Sequence, residues 1–191
     1  KRPTYFLEME MSPRQIWSRF VMIENEWDQE QLEAHYKNLK NGQDEKFKYL
    51  TVDYSSPMAY ELDKRINMCA VKPELVIVDH LGLLRSKHKD MNMKLEEASQ
   101  ALMDLAVKNN IIVFAVSEIN KSAFKEGMDI SSARGSFRIA YNANKLLSIK
   151  PFRKEDGSIG VLQVKSDKNR EREHINVKLV PNNVKIELQK E

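Results

Sequence analysis

A chain of 191 residues, 41% of them hydrophobic and 31% charged, has the apolar content for one core of ordinary size and a wet surface. Its net charge of +3 excludes a molecule that holds nucleic acid by bulk charge, so any such contact must come from a local patch. The single cysteine, Cys69, excludes an intrachain disulfide, and four histidines with one cysteine offer no zinc-ligand spacing. There is no signal peptide and no apolar run long enough to span a bilayer. The composition suits a reducing, cytoplasmic setting with no membrane contact.

In chain order, Thr4-Tyr5-Phe6-Leu7 is β-prone and runs into Glu8-Met9-Glu10. Ser12-Pro13 predicts a helix start, with Ser12 as N-cap and Pro13 in the first turn. Ile16, Trp17, Phe20, Val21 and Ile23 supply its apolar face. Asp28 to Leu39 predicts a second, more polar helix, ended by Asn41-Gly42. Phe47 to Val52 alternates as a strand does, and Ser55-Ser56-Pro57 predicts a helix reaching about Val71. Cys69 falls on the apolar side of that helix and reads as a buried, inert thiol.

Leu75-Val76-Ile77-Val78 is a continuous apolar run ending in Asp79, the pattern of a parallel strand buried on both faces. Leu84 to Met93, with Arg85, Lys87, His88 and Lys89, reads as a mobile basic loop. Lys94 to Asn109 predicts a helix with Leu95, Ala98, Leu102, Leu105 and Ala106 on one face. Ile111 to Val116 is a second continuous apolar strand, followed by Ser117-Glu118. Lys121 to Gly135 reads as a polar loop, with a short helix near Ile139. Four short strands follow, at Lys145 to Ile149, Val161 to Lys165, Ile175 to Leu179 and Val184 to Leu188. Asp156-Gly157 and Asn182-Asn183 read as hairpin turns.

The order of elements predicts an α/β fold: a largely parallel sheet flanked by helices, then antiparallel C-terminal strands added at its edge. Three strand ends carry acids: Glu10, Asp79 and Glu118. In parallel neighbours these side chains share one edge of the sheet, where open α/β sheets bind ligands. One acid can hold a metal and another can orient and deprotonate water. Two plainer readings stand beside this one. Asp79 can be a solvated acid after a core strand, and Glu10 a surface or capping carboxylate ahead of the next helix.

Five segments resemble one family. Phe6-Leu7-Glu8-Met9-Glu10-Met11-Ser12 resembles the "SLEMS" segment of DnaB-like replicative helicases. Leu75 to Leu84 resembles their Walker B stretch "LIVIDYLQL", and Ile112 to Lys121 is similar to "VIALSQLNR". Arg134-Gly135-Ser136 with Asn142-Ala143-Asn144 resembles the DNA-loop segment "ESGAIEQDAD". Lys168-Asn169-Arg170, with Val177-Lys178-Leu179 beyond it, resembles "KQR…VKL". The segments keep the family's order over nearly the whole chain, and residues 24–40 sit where the family has a polar helical insert.

The resemblance implies a single RecA-like helicase core over residues 1–191, acting in a homo-oligomeric ring, a hexamer, with ATP and Mg²⁺ between subunits. Single-stranded DNA would pass through the centre, with a primase or loader as further partner, in a bacterial, phage or plasmid context. It implies Glu10 as catalytic base and Asp79 as the Mg²⁺-side acid, acting through water. Arg170 would be the arginine finger, with Lys168 beside it, and Ser117 and Glu118 would sense the nucleotide. Arg134, Gly135, Lys121 and Lys125 in one loop, and Lys87 and Lys89 in another, would meet DNA.

The sequence departs from the family in four places, one of them His80, which follows the Walker B acid where the family has an aromatic. No G-x-x-x-x-G-K-[ST] phosphate loop occurs in the 191 residues. The expectation is therefore a first strand, phosphate loop and helix upstream, an inactive fragment without them, and an uncovered sheet edge where they belong. Glu118 stands where the family usually has a Gln. Arg138 and Asn144 replace acids in the DNA-loop segment. Two other functions remain open: a RecA- or KaiC-like ATPase that is not a helicase, and a non-catalytic RecA-like module that binds DNA or joins a ring.

Overall fold

The computed structural model of the chain describes residues 2–35, 47–118, 137–170, 174–182 and 185–188. The chain forms two compact units, one of Lys1–Ser12 with Gln43–Ala143 and one of Pro13–Gly42 with Asn144–Glu191.

The first unit is built on a parallel sheet of four strands: β1 (Thr4–Glu8), β2 (Leu50–Asp53), β3 (Leu75–Asp79) and β4 (Ile112–Ala115), in the order β2-β1-β3-β4. The register between the two central strands runs from Thr4↔Leu75 to Glu8↔Asp79. One face of the sheet carries the core. Tyr5, Leu7, Val76 and Val78 pack there against Leu62, Ile66, Leu81 and Leu84, and against Ala98, Leu102 and Leu105 of a long helix. That helix, Met91–Asn109, starts on Asp90, whose side chain accepts from the Met93 amide at 3.0 Å. It stops at Asn110, which takes the left-handed conformation that asparagine tolerates.

Three sequence expectations are adjusted here. Burial along β3 alternates, with Val76 and Val78 fully buried and Leu75 and Ile77 only partly so, because the core packs on one face. The helix expected from Ser55 to Val71 is a 3-10 turn at Ala59–Glu61 followed by a six-residue helix, Leu62–Asn67. Past Met68 the chain has to turn back to feed β3. The basic loop is shorter than expected, since Met91–Met93 already belong to the long helix, and Arg85 is tied in by a bridge to Met58 and a 2.9 Å bond from its amide to the Pro57 carbonyl.

Among the described residues β4 is an edge strand of this sheet; Ile112 and Phe114 on it are 55% and 53% exposed, and Val116 just after it 40%. A short helix, Phe137–Asn142, packs on the long helix, and the buried Asn142 side chain donates to the Ser99 hydroxyl at 3.0 Å. Residues 119–136 lie outside the described set, and with them Lys121, Lys125, Arg134 and Gly135.

The second unit contains helices Pro13–Asn25 and Gln29–His35, the first beginning at the proline that the sequence marks. Trp27 stacks on His35 with centroids 4.6 Å apart. The rest of the unit is a four-stranded antiparallel sheet in sequence order: β5 (Lys145–Arg153), β6 (Ile159–Asn169), β7 (Asn176–Asn182) and β8 (Lys185–Leu188). The four expected strands are all present, and they form their own sheet instead of extending the parallel one. Short hairpin loops favour pairing between consecutive strands. The turn between β5 and β6 needs Gly157, whose φ of 81° most side chains avoid.

The burial predicts a contrast in stability. Leu62→Ala, at a fully buried position, is expected to cost about 2–5 kcal/mol in urea unfolding. Met68→Ala, at a position 75% exposed, is expected to stay within about 0.5 kcal/mol.

Candidate active site

The parallel register sets the C-terminal ends of β1, β3 and β4 on one edge of the first unit's sheet. Glu8 ends β1 opposite Asp79, which ends β3. The amide of Met9 continues the ladder by donating to the Asp79 carbonyl at 3.0 Å. Val78 pairs with Ala115 of β4, and the Val116 amide donates to the Val78 carbonyl at 3.0 Å. Ser117 and Glu118 follow immediately. The Leu81 amide then closes back onto the Val116 carbonyl at 2.8 Å.

This geometry brings Glu10, Asp79, Ser117 and Glu118 to one edge. Glu10 is exposed, two residues past the end of β1, and Asp79 is half-buried. Ser117 is half-buried and Glu118 exposed. Lys87 and Lys89 are exposed between the 3-10 turn at Leu81–Leu83 and the long helix.

Glu8 was given no role by the sequence reading. It is 1% exposed, and its Oε1 accepts from the amides of both Glu10 and Met11 at 2.8 Å. Its Oε2 has no hydrogen-bond partner among the described residues, and neither has the buried Nδ1 of His80. The signal available in the sequence was two acids two residues apart at a strand end, and alternation alone does not say which one is inside.

The fourth strand also ends in an acid that the sequence reading passed over. Asp53 of β2 lies opposite Leu7, and three neighbours hold its carboxylate. The Tyr5 hydroxyl donates to it, Arg65 Nη1 pairs with its Oδ2 at 2.8 Å, and the Ser55 amide donates to Oδ1 at 2.8 Å. Burial pushes the Asp53 carboxyl up. The hydrogen bonds from Ser55 and Tyr5 and the Arg65 charge together outweigh it and hold the group below its ordinary range. Burial, followed by the bond to Asp53, pushes Tyr5 well above the usual phenol range. An open groove of about 710 Å³ runs beside this network, lined by Thr51, Tyr54, Lys64, Met68 and Cys69 among others. Cys69 lies past the end of the Leu62–Asn67 helix and is half-buried, not the fully buried thiol expected, and burial raises its thiol.

In the second unit, Lys168 lies on β6 opposite Leu146 of β5, and Arg170 follows the strand. Partial burial first, then the Arg170 charge, lowers the Lys168 ammonium. Arg170 donates through its amide to the Asn144 carbonyl at 3.2 Å and through Nη1 to Asn144 Oδ1 at 3.3 Å. Asn144, one of the departures in the DNA-loop segment, therefore has a local use. Ser166 closes the connection that carries Arg170. It is buried, its hydroxyl accepts from the Ile175 amide at 2.6 Å, and its carbonyl lies 2.9 Å from His174 Nδ1.

The sequence matches the family model described as the DnaB-like helicase C terminal domain over residues 1–182. This chain belongs to that family. The fold is similar to three solved structures, each at 13% sequence identity, a likeness that speaks to fold alone. A structure described as an ATPase domain has a TM-score of 0.76, with 99% of this chain and 75% of that one covered. "The Structure Of A DnaB-Like Replicative Helicase And Its Interactions With Primase" has a TM-score of 0.73, with coverage of 97% and 51%. The KaiC-like protein PH0186 from the archaeon Pyrococcus horikoshii OT3 has a TM-score of 0.63, with coverage of 99% and 76%. No curated protein sequence matches the chain. The fold is RecA-like, as the resemblance implied. No helix among the described residues is long and apolar enough to cross a membrane.

The Asp53 network gives a pH prediction with a definite sign. A carboxyl held below its unfolded value contributes stability that is present above about pH 4 and is lost as pH falls through the folded value. Wild type is therefore expected to lose more melting temperature than Asp53→Asn between pH 6 and pH 3, read by circular dichroism.

Proposed function

We propose that this chain is the motor domain of a DnaB-like replicative helicase, which couples ATP hydrolysis to movement along single-stranded DNA and to duplex unwinding. The observation that carries the reading is the alignment of Glu10, Asp79 and Ser117-Glu118 at one edge of a parallel sheet, in a chain that the helicase family model matches over residues 1–182.

The residues suit the chemistry. Carboxylate oxygens are the ligands that Mg²⁺ prefers, often through its water shell, and Asp79 at the end of β3 would hold it in that way. Bound Mg²⁺ would supply neutralisation of charge on the phosphoryl group being transferred. Glu10, exposed beside it, would take the proton of the attacking water. Ser117 would donate a hydrogen bond to phosphate. Glu118 is acceptor-only when ionised and would serve through water or metal rather than by direct contact. Arg170 carries a planar, permanently charged fork suited to phosphate, held by Asn144 on a hairpin closed by Ser166. With Lys168 it would reach the nucleotide of a neighbouring copy in a homo-oligomeric ring, the hexamer of our reading. Lys87 and Lys89, with Lys121, Lys125, Arg134 and Gly135, would meet the DNA backbone through charge and amides, without reading sequence. A primase or loader would be a further partner, in the cytoplasm of a bacterium or in phage or plasmid replication.

A second reading is a non-catalytic RecA-like module that binds DNA or completes a ring. What favours it is the carboxylate at Glu118, and a gene that encodes no phosphate loop would favour it further. A KaiC-like ATPase that is not a helicase is less favoured, since the C-terminal hairpin carries Lys168 and Arg170.

The test uses the protein as its gene encodes it. Glu10→Gln is expected to lower ATP turnover by about 10²–10⁴-fold, and Arg170→Ala by about 10³-fold or more. Mixed rings of the two variants should recover part of the turnover, because some interfaces then pair an intact Glu10 with an intact Arg170. Mixed rings without recovery would remove Arg170 from the neighbour's site. Wild type that binds DNA with no turnover and no nucleotide dependence would favour the module.

A further inference from the structure

We propose that Glu8 is a positioning residue for Glu10. Its buried carboxylate clamps the turn after β1 and so sets the direction in which the Glu10 side chain leaves the sheet. The proposal rests on the reading of Glu10 as the base that activates water.

Four observations support it. Glu8 is 1% exposed, so its carboxylate is shielded from solvent. A single oxygen, Oε1, accepts the amides of both Glu10 and Met11 at 2.8 Å, and bonds to a charged acceptor in a low-dielectric setting are strong and short. The same turn is fixed from the other side, where the Met9 amide donates to the Asp79 carbonyl at 3.0 Å. Finally, Glu8 stands in register with Asp79, so the clamp ties Glu10 to the strand end that bears the metal-side acid. The backbone at residues 9 to 11 is thus held by β3 and by the chain's own side chain together.

The other oxygen sharpens the inference. Oε2 makes no hydrogen bond among the described residues, and a buried carboxylate left half-satisfied is costly. An apolar residue would fill the position without that cost. What the glutamate provides that an apolar residue cannot is the pair of bonds at Oε1. When the E-M-S of the "SLEMS" segment is laid on Glu10-Met11-Ser12, its serine falls on Glu8. Local side-chain bonds to amides two and three residues onward are how a chain fixes a turn without regular structure. A displacement of about 1 Å at a reacting group is enough to cost about 100-fold in rate.

The experiment compares wild type, Glu8→Gln, Glu8→Leu, Glu8→Met and Glu10→Gln in the protein as its gene encodes it. It reads steady-state ATP hydrolysis together with hydrogen exchange at the amides of residues 10 and 11. Gln keeps the accepting oxygen, so Glu8→Gln should hold kcat within about threefold of wild type, with both amides protected. Leu and Met fill the space without an acceptor. Either should lower kcat by about tenfold or more with KM for ATP nearly unchanged, and should speed exchange at both amides by about tenfold. The use of two apolar variants guards against one that fails to fold.

Apolar variants with wild-type kcat and wild-type protection would overturn the clamp. So would a matched loss in Glu8→Gln, which would mark Glu8 as merely structural. Glu10→Gln separates the two levels of the argument. Loss of turnover there, with the amides still protected, supports Glu10 as base. Full turnover there overturns that role and, with it, the purpose assigned to the clamp, whatever the exchange at Glu8→Leu reports about the turn.

Discussion

The pairing of β1 with β3, in register from Thr4↔Leu75 to Glu8↔Asp79, is the constraint on which the first unit depends. A slip of one residue in β1 would turn Tyr5 and Leu7 away from Leu62, Ile66 and Leu102 and put their neighbours into the core. The same slip would separate Asp79 from the turn that carries Glu10. Core packing and the placement of the acids are therefore one arrangement. The apolar contacts supply the free energy, and the ladder sets where the carboxylates stand.

The strand ends differ in how their acids are used, and the difference comes from neighbours rather than from residue type. Asp53 is drawn into a network by Tyr5, Arg65 and Ser55. Glu8 turns inward and binds the backbone. Glu10 is exposed and Asp79 half-buried. One edge thus holds acids that fasten the structure beside the acids on which the proposed function draws. The second unit follows the same logic. Asn144 and Ser166 hold the backbone around Arg170, so its position depends on local hydrogen bonds and less on apolar burial.

Much of the fold was legible in the residues. The apolar runs before Asp79 and Ser117, the Ser12-Pro13 helix start and the Asp156-Gly157 turn each correspond to an observed element. Those signals are local: β-branched runs, a proline fit for a first helical turn, and a glycine able to take positive φ. The Leu62–Asn67 helix was overestimated because propensity is silent about where the chain must turn to reach β3. The β3 strand was read as buried on both faces because a continuous apolar run carries no record of which face receives the helix. The DNA-loop residues Lys121, Lys125, Arg134 and Gly135 lie outside the described residues.

For the candidate site, the sequence by itself determined which acids follow which strands, and with them the family, because residue order and short motifs are one-dimensional facts. It also determined that Glu10, Asp79 and Glu118 would share an edge once the strands were parallel. Only the tertiary structure decided between the two acids of Glu8-Met9-Glu10. The side chain that meets the amides of residues 10 and 11 goes inside, and the one beyond the last ladder bond goes out. It alone decided, too, that Asp53 would be consumed by Tyr5 and Arg65, residues 48 and 12 positions away in the chain. Such partners meet only after the sheet has formed, so no local pattern in the sequence announces them.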